Sequence, residues 1–191
     1  KTIQEESGKY PNFHVHYAVK ANANPKVLRI IRQYNFGADC VSGGEIKAAL
    51  EAGFPSDGIV YAGVGKSDWE IKLGIDNEIQ CFNVESTAEL DVIAALAKEA
   101  GKVARVAFRI NPNIGAHTHA NITTGLAENN FGIAMQDMIP VIEHAKTLDN
   151  IKVMGLHFHI GSQILDMGDF KALCNRINEL QTLLAQHNIY V

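Results

Sequence analysis

The sequence predicts an α/β fold, specifically a (β/α)8 barrel truncated after about six βα units. Three observations predict it. Apolar strand-like runs alternate with helical patterns and never follow one another as hairpins. The expected strand ends at Lys20, Ser42, Gly63 and Glu85 fall 22, 21 and 22 residues apart, a structural period without a sequence repeat. No Gly-rich dinucleotide fingerprint follows any strand, which disfavours an open doubly wound sheet. The 191 residues stop about one and a half units short of eight, so residues 1–191 read as one partial barrel domain.

Taken in order, residues 1–10 carry Lys, Gln, Glu and Ser with no apolar run, so they read as the tail of a helix and not as a signal peptide. In His14 to Pro25, HVHYAVKANANP, a period of two sets Ala18 and Lys20 on one face and Val15, Tyr17 and Val19 on the other. Tyr17-Ala18-Val19 is the first strand and Lys20 its C-terminal end. Asn22, Asn24 and Pro25 break it and open a helix over Lys26–Tyr34 that ends at Gly37. Ala38–Val41 is the second strand, and Gly43 and Gly44 lead into a helix over Glu45–Ala52, stopped by Gly53. Ile59–Ala62 is the third strand, followed by a helix over Asp68–Leu73 stopped at Gly74. Ile79–Val84 is the fourth; Ser86 then caps a helix running to Ala100, with Glu89 at the reciprocal capping-box position and Gly101 as the stop. Val103–Ile110 is the fifth strand, Asn111–Gly132 a long polar loop, and Gln136–Leu148 a helix. Val153–Ile160 is the sixth strand, Asp169–Gln186 a helix, and Ile189–Val191 the start of a seventh strand.

Composition narrows the function classes. A net charge of −4 offers no basic field for nucleic acid, and no stretch approaches the roughly 18 apolar residues of a membrane span. Neither partner is expected. Cys40, Cys81 and Cys174 are odd in number, widely spaced and without CxxC pairing, which fits a reducing cytoplasm better than a disulfide framework or a zinc site.

In a barrel the chemistry belongs at the C-terminal strand ends. There the chain offers Lys20, Asp39 and Ser42, Glu85, Arg109 and Asn111, and finally His157, His159 and Ser162. A lysine at the inner mouth of a parallel sheet is partly desolvated, which favours its neutral, nucleophilic amine and Schiff-base chemistry. In GLHFHIGSQ the two histidines share a face; one can lie flat on an aromatic cofactor while the Gly-Ser turn presents a hydroxyl and N–H groups to a phosphate. Pyridoxal phosphate needs both a lysine amine and a phosphate cradle.

The ordered motifs YAVKANANP, GADCVSGGE, YAGVGKSDWEI, FNVES, FRINPN, HTHANITTG, FGI and GLHFHIGSQI resemble those of the fold-type III pyridoxal-phosphate decarboxylases, from about Phe13 onward. The resemblance implies a barrel of the alanine racemase/ornithine decarboxylase type and a cytoplasmic carboxy-lyase acting on a small amino acid. It implies that Lys20 is the Schiff-base lysine, His159 the imidazole stacked on the pyridine ring, and Ser162 a phosphate ligand. Asp39 and Glu45 match the acidic pair of the strand 2 motif, and Arg109 the arginine of strand 5; Asp39 and Arg109 are taken as cofactor contacts. Within the family, HIGSQ with the VSGGE glycine pair leans toward the members that act on diaminopimelate over those for ornithine, arginine or carboxynorspermidine. A cofactor-carrying relative without chemistry is the other class, and joint retention of Lys20, His159 and Ser162 argues against it. The resemblance further implies a homodimer in the full-length protein, and a strand 8 glutamate, a strand 7 phosphate loop and a C-terminal β-domain that this stretch lacks. The stretch alone is therefore expected to be inactive. One departure stands out: Asn130 replaces the family's lysine before Phe131-Gly132-Ile133, which puts an interface salt bridge in doubt.

Other features are set aside. Gly65-Lys66-Ser67 looks like the end of a P-loop, but Val60 stands where that motif needs glycine. His117 and His119 on a polar loop lack a nearby carboxylate or cysteine, so no metal site is expected. Cys40, beside Asp39, reads as a small buried residue without a cationic activator.

Overall fold

The structure is a computed structural model that describes residues 1–112, 131–162 and 164–191. Six strands, β1 (His16–Ala18), β2 (Gly37–Cys40), β3 (Ile59–Tyr61), β4 (Cys81–Val84), β5 (Ala104–Arg109) and β6 (Ile151–His157), form one parallel sheet in the order β1-β2-β3-β4-β5-β6. Each strand pairs with the next in sequence and the order never reverses. That is how a (β/α) barrel is wound, and a doubly wound sheet with its switch point does not fit.

A helix α1 (Thr2–Ser7) precedes the sheet, and α2 (Pro25–Arg32), α3 (Gly43–Glu51), α4 (Asp68–Asp76), α5 (Thr87–Glu99), α6 (Met138–Lys146) and α7 (Met167–Gln186) each follow one strand. Their starts are written in short polar side chains. Asn24 accepts from Lys26 N with Pro25 in the first turn, Ser42 from Glu45 N, and Ser86 from Glu89 N. The reciprocal half of the expected Ser86 box is not made. Glu89 Oε2 instead accepts from Glu85 N, at 2.9 Å, and its other oxygen is taken by Lys66.

Two strands alternate cleanly, while β4 is buried along its whole length. In β2, Ala38 and Cys40 are buried while Asp39 lies on the opposite face; in β3, Ile59 and Tyr61 are buried and Val60 opposes them. The buried faces of the strands meet the helices in one cluster that includes Phe82, Val84, Val106 and Phe108 with Ile46, Ile71, Leu90, Ile93 and Met138. The other face of the sheet is thereby left for the polar residues.

Most element ends shift by a residue or two from the expected ones, and four differences have a physical reason. Gly74 does not stop a helix: it lies inside α4, where a Cβ would sit 2.6 Å from Phe82 Cζ, so glycine is there for close helix–sheet packing. β1 ends at Ala18, and Lys20 lies in a 3-10 turn, Val19–Ala21. β6 ends at His157, so His159 and Ser162 belong to the following loop. Ile189–Val191 form no strand; Asn188 adopts φ +56°, Ile189 N donates to Leu184 O at 2.9 Å, and Ile189 is buried as the anchor of that turn.

Candidate active site

Parallel register brings three of the rim residues into a row. Val84 pairs with Phe108, and Arg109 with His157, so Glu85, Arg109 and His157 stand at successive strand ends of β4, β5 and β6. Val84 and Phe108 are fully buried on the helix side, and alternation turns Glu85 and Arg109 to the inner face. There Arg109 Nη1 donates to Glu85 Oε1 at 2.6 Å, with the two side chains 11% and 5% exposed. The guanidinium also lies 5.4 Å from the centre of the Phe131 ring. Phe131 is delivered by a short return: Ile133 bridges Ile110, Ile133 N donates to Arg109 O at 2.8 Å, and Asn111 N donates to Ile133 O at 2.9 Å.

The electrostatics follow from burial beside that cation. The His157 imidazole is pushed down to about 4 by burial, then by the Arg109, His159 and Lys66 charges, and its Nδ1 has no partner among the described residues. His159 is lowered by burial, by Arg109 and by Lys20, with Glu85 opposing. Both shifts favour the neutral imidazole. Burial raises the Asp39 carboxyl, opposed by the Lys20 and His16 charges. Asp39 and Lys20 therefore share one electrostatic environment on the β1–β2 side, where Ala18 pairs with Asp39.

The desolvated Lys20 expected from the sequence is not what the structure shows. In this chain, which spans about half the length of its relatives, Lys20 is exposed at the end of β1, the outer strand of the described sheet. Ser162 is also exposed, next to Gly161 at φ +142°, and no hydrogen bond ties it to the other candidate residues among those described. Ser42, placed on the rim by the sequence, is used as the α3 cap. Glu45 turns to Val41 N, 2.8 Å away, and reaches Asp39 only through its charge. Cys40 is buried and its thiol is pushed up to about 12, largely by that burial. His117, His119 and Asn130 lie outside the described residues.

Two features escaped the sequence reading. The first is the Glu85–Arg109 pair itself, since Glu85 was visible only as a strand end. The second is Lys66, dismissed as a P-loop fragment. Its side chain is 1% exposed, and Nζ donates to Gly63 O at 2.6 Å, Asn83 O at 2.8 Å and Glu89 Oε1 at 2.7 Å, beside the Tyr61 ring. All three ammonium protons are used, so Lys66 has none left for a phosphate.

Over residues 1–189 the chain matches the family described as pyridoxal-dependent decarboxylase, pyridoxal binding domain, and it belongs to that family. A diaminopimelate decarboxylase of Bacteroides thetaiotaomicron is 68% identical over 189 residues, covering 99% of this chain and 49% of that protein. The crystal structure of diaminopimelate decarboxylase from Helicobacter pylori complexed with L-lysine superposes with a TM-score of 0.92 at 39% identity, over 97% of this chain and 47% of the other. The Methanocaldococcus jannaschii diaminopimelate decarboxylase in co-complex with L-lysine gives 0.88 at 40% identity, over 100% and 44%. The chain thus spans about half the length of the relatives it matches.

The residues fit the cofactor of this family, pyridoxal phosphate. Gly155 of β6 faces open space, with nothing within 4 Å of a Cβ built there, and Ala107 beside it in register is equally small. Above that floor stand two buried polar atoms without partners among the described residues, Glu85 Oε2 and His157 Nδ1. An exposed primary amine at Lys20 completes a donor set suited to a phosphorylated aldehyde.

Proposed function

We propose that this chain is the cofactor-binding part of an enzyme that removes carbon dioxide from meso-2,6-diaminopimelate to give L-lysine. The observation that carries the reading is the exposed Lys20 amine on the same rim as the buried Glu85–Arg109 pair, in a chain 68% identical to a diaminopimelate decarboxylase. Lys20 is the residue that carries pyridoxal phosphate. His159, kept neutral by burial and by Arg109, packs against its ring. Arg109 and Asp39 contact the cofactor, and Ser162 with the backbone of its bend meets the phosphate. When bound, pyridoxal phosphate supplies an electron sink for the charge left as carbon dioxide departs. Asp39, raised by burial and opposed by the Lys20 and His16 charges, faces the lysine from the next strand as its carboxyl partner.

The reading extends to a small amino-acid substrate and to a cytoplasmic homodimer of the full-length protein. The three cysteines Cys40, Cys81 and Cys174 are free, and no described helix is long and apolar enough to cross a membrane, which supports it without reaching further. The test uses the full-length protein with pyridoxal phosphate. Borohydride must fix the cofactor on Lys20 in a peptide map, and carbon dioxide must be released from meso-diaminopimelate in preference to ornithine, arginine and carboxynorspermidine. Fixation without release from any of these would leave a cofactor-binding relative; no fixation at Lys20 would overturn the reading.

A further inference from the structure

The geometry points to Glu85 as a further positioning residue of the cofactor site: it holds the Arg109 guanidinium at 2.6 Å and is itself fixed from behind by the buried Lys66–Glu89 pair. The inference rests on the reading of Arg109 as a cofactor contact. Glu85 is 7% exposed, a rare burial for a glutamate, and only one of its oxygens has a partner among the described residues. A carboxylate that served packing alone would have both oxygens satisfied. Here the open oxygen stands in the polar row at the sheet's C-terminal end, where the site lies.

The clamp behind it accounts for its aim. Glu89 Oε2 accepts from Glu85 N at 2.9 Å, Glu89 Oε1 accepts from Lys66 Nζ, and Lys66 Nζ also donates to the Asn83 carbonyl. The last residues of β4 are thus tied to α5 and to the β3–α4 loop at once, and the Glu85 side chain leaves a fixed backbone. Arg109 is steered from two sides, by the Phe131 ring and by Glu85, which is its one carboxylate partner among the described residues. Without Glu85 the guanidinium keeps the ring but loses its direction. A residue acting this way touches no reacting atom; it decides where Arg109 points.

The test compares Glu85→Ala, Glu85→Asp and Glu85→Gln in the full-length protein, reading cofactor affinity by absorbance titration, the position of the bound absorption band, and the melting temperature of the cofactor-free form. Glu85→Ala and Glu85→Asp, which fall short of Arg109, are expected to bind pyridoxal phosphate roughly ten- to a hundredfold more weakly, the range that loss of a partner behind a contact residue costs elsewhere, and to shift the band. Glu85→Gln keeps an oxygen within reach and is expected to restore most of both. Should Glu85→Ala fail to fold, the contrast between Asp and Gln decides. Wild-type affinity and band position in Glu85→Asp would overturn the inference. Absence of cofactor fixation at Lys20 in the wild type would instead overturn the functional reading on which it rests.

Discussion

Replacing Lys66 by alanine tests the buried network under the site most directly. The change removes the partner of three acceptors at once: the Gly63 and Asn83 carbonyls and the Glu89 carboxylate, with Glu89 itself 12% exposed. Breaking a buried ion pair by deleting one member costs about 3–5 kcal/mol, because the other charge stays buried and uncompensated. For a protein about twice the length of this chain 1 kcal/mol moves the melting temperature by about 1–2 °C, so the cofactor-free full-length protein is expected to melt roughly 5 °C lower. The sign of the pH dependence is fixed. Burial already raises the Glu89 carboxyl, with Lys66 as the largest opposing influence. Without Lys66 the folded protein binds that proton more tightly still, so the variant gains stability relative to wild type as pH falls through the Glu89 titration. Melting scans from pH 8 to pH 5 should therefore show a deficit that narrows on acidification. Lys66→Met combined with Glu89→Gln should recover more than half of it, since no buried charge is stranded. A deficit below about 1 kcal/mol, the range of an exposed ion pair, or one that does not change with pH, would refute the reasoning.

Further outcomes follow from single positions. Lys20→Ala should abolish borohydride fixation while leaving the melting temperature within the small change, about 0.5 kcal/mol, expected of an exposed site; a large loss of stability would show Lys20 to be structural. Gly74→Val should destabilise by about 1–3 kcal/mol, since even a Cβ would meet Phe82 Cζ at 2.6 Å, and unchanged urea unfolding would contradict that packing. The His157 ring, lowered from 6.5 to about 4, stays neutral through the physiological range. Its contribution to stability is present above pH 6.5 and is lost as pH falls toward 4, because the unfolded chain takes up the proton first. Histidine NMR should place its titration near 4, and a midpoint above 6 would remove the burial argument.

The fold was legible because it depends on local signals that survive without tertiary context. Strand and helix periods, the helix openings at Asn24 and Ser86 and the near-constant spacing of strand ends together determine a parallel sheet wound in sequence order. The errors share one cause. Gly74 carries the same local signal whether it ends a helix or lets one approach a sheet, and only the Phe82 ring on the neighbouring strand distinguishes the two. The register shift between Val106 and Ala107 leaves no mark in an alternating run, yet it places Ala107 opposite Gly155 and Arg109 opposite His157.

The site was legible as a set of residue types and not as an arrangement. Lys20, Asp39, Arg109 and His159 were singled out because strand ends could be counted, but counting does not give the covering of each one: Lys20 is exposed at the outer strand of a sheet that spans about half its relatives' length. Pairing across strands is what counting lacks: Glu85 and Arg109 are 24 residues apart, and Lys66 and Glu89 are 23. One βα period is about that long, so in a regularly wound barrel two charged residues one period apart fall on neighbouring strand ends or in the loops just beyond them. Opposite charges at that separation do not by themselves mark a rim ion pair, since Lys47 and Glu70 are also 23 apart and Glu78 and Lys102 24 apart, yet Lys47 lies over the Trp69 ring and Lys102 donates to the Asp76 carbonyl. What sets Glu85 with Arg109 and Lys66 with Glu89 apart is their burial together at the strand ends, which counting along the chain does not give. The failed P-loop match then has a physical reading: a lysine matched to a glutamate one period downstream is already claimed, and has no charge to offer a phosphate.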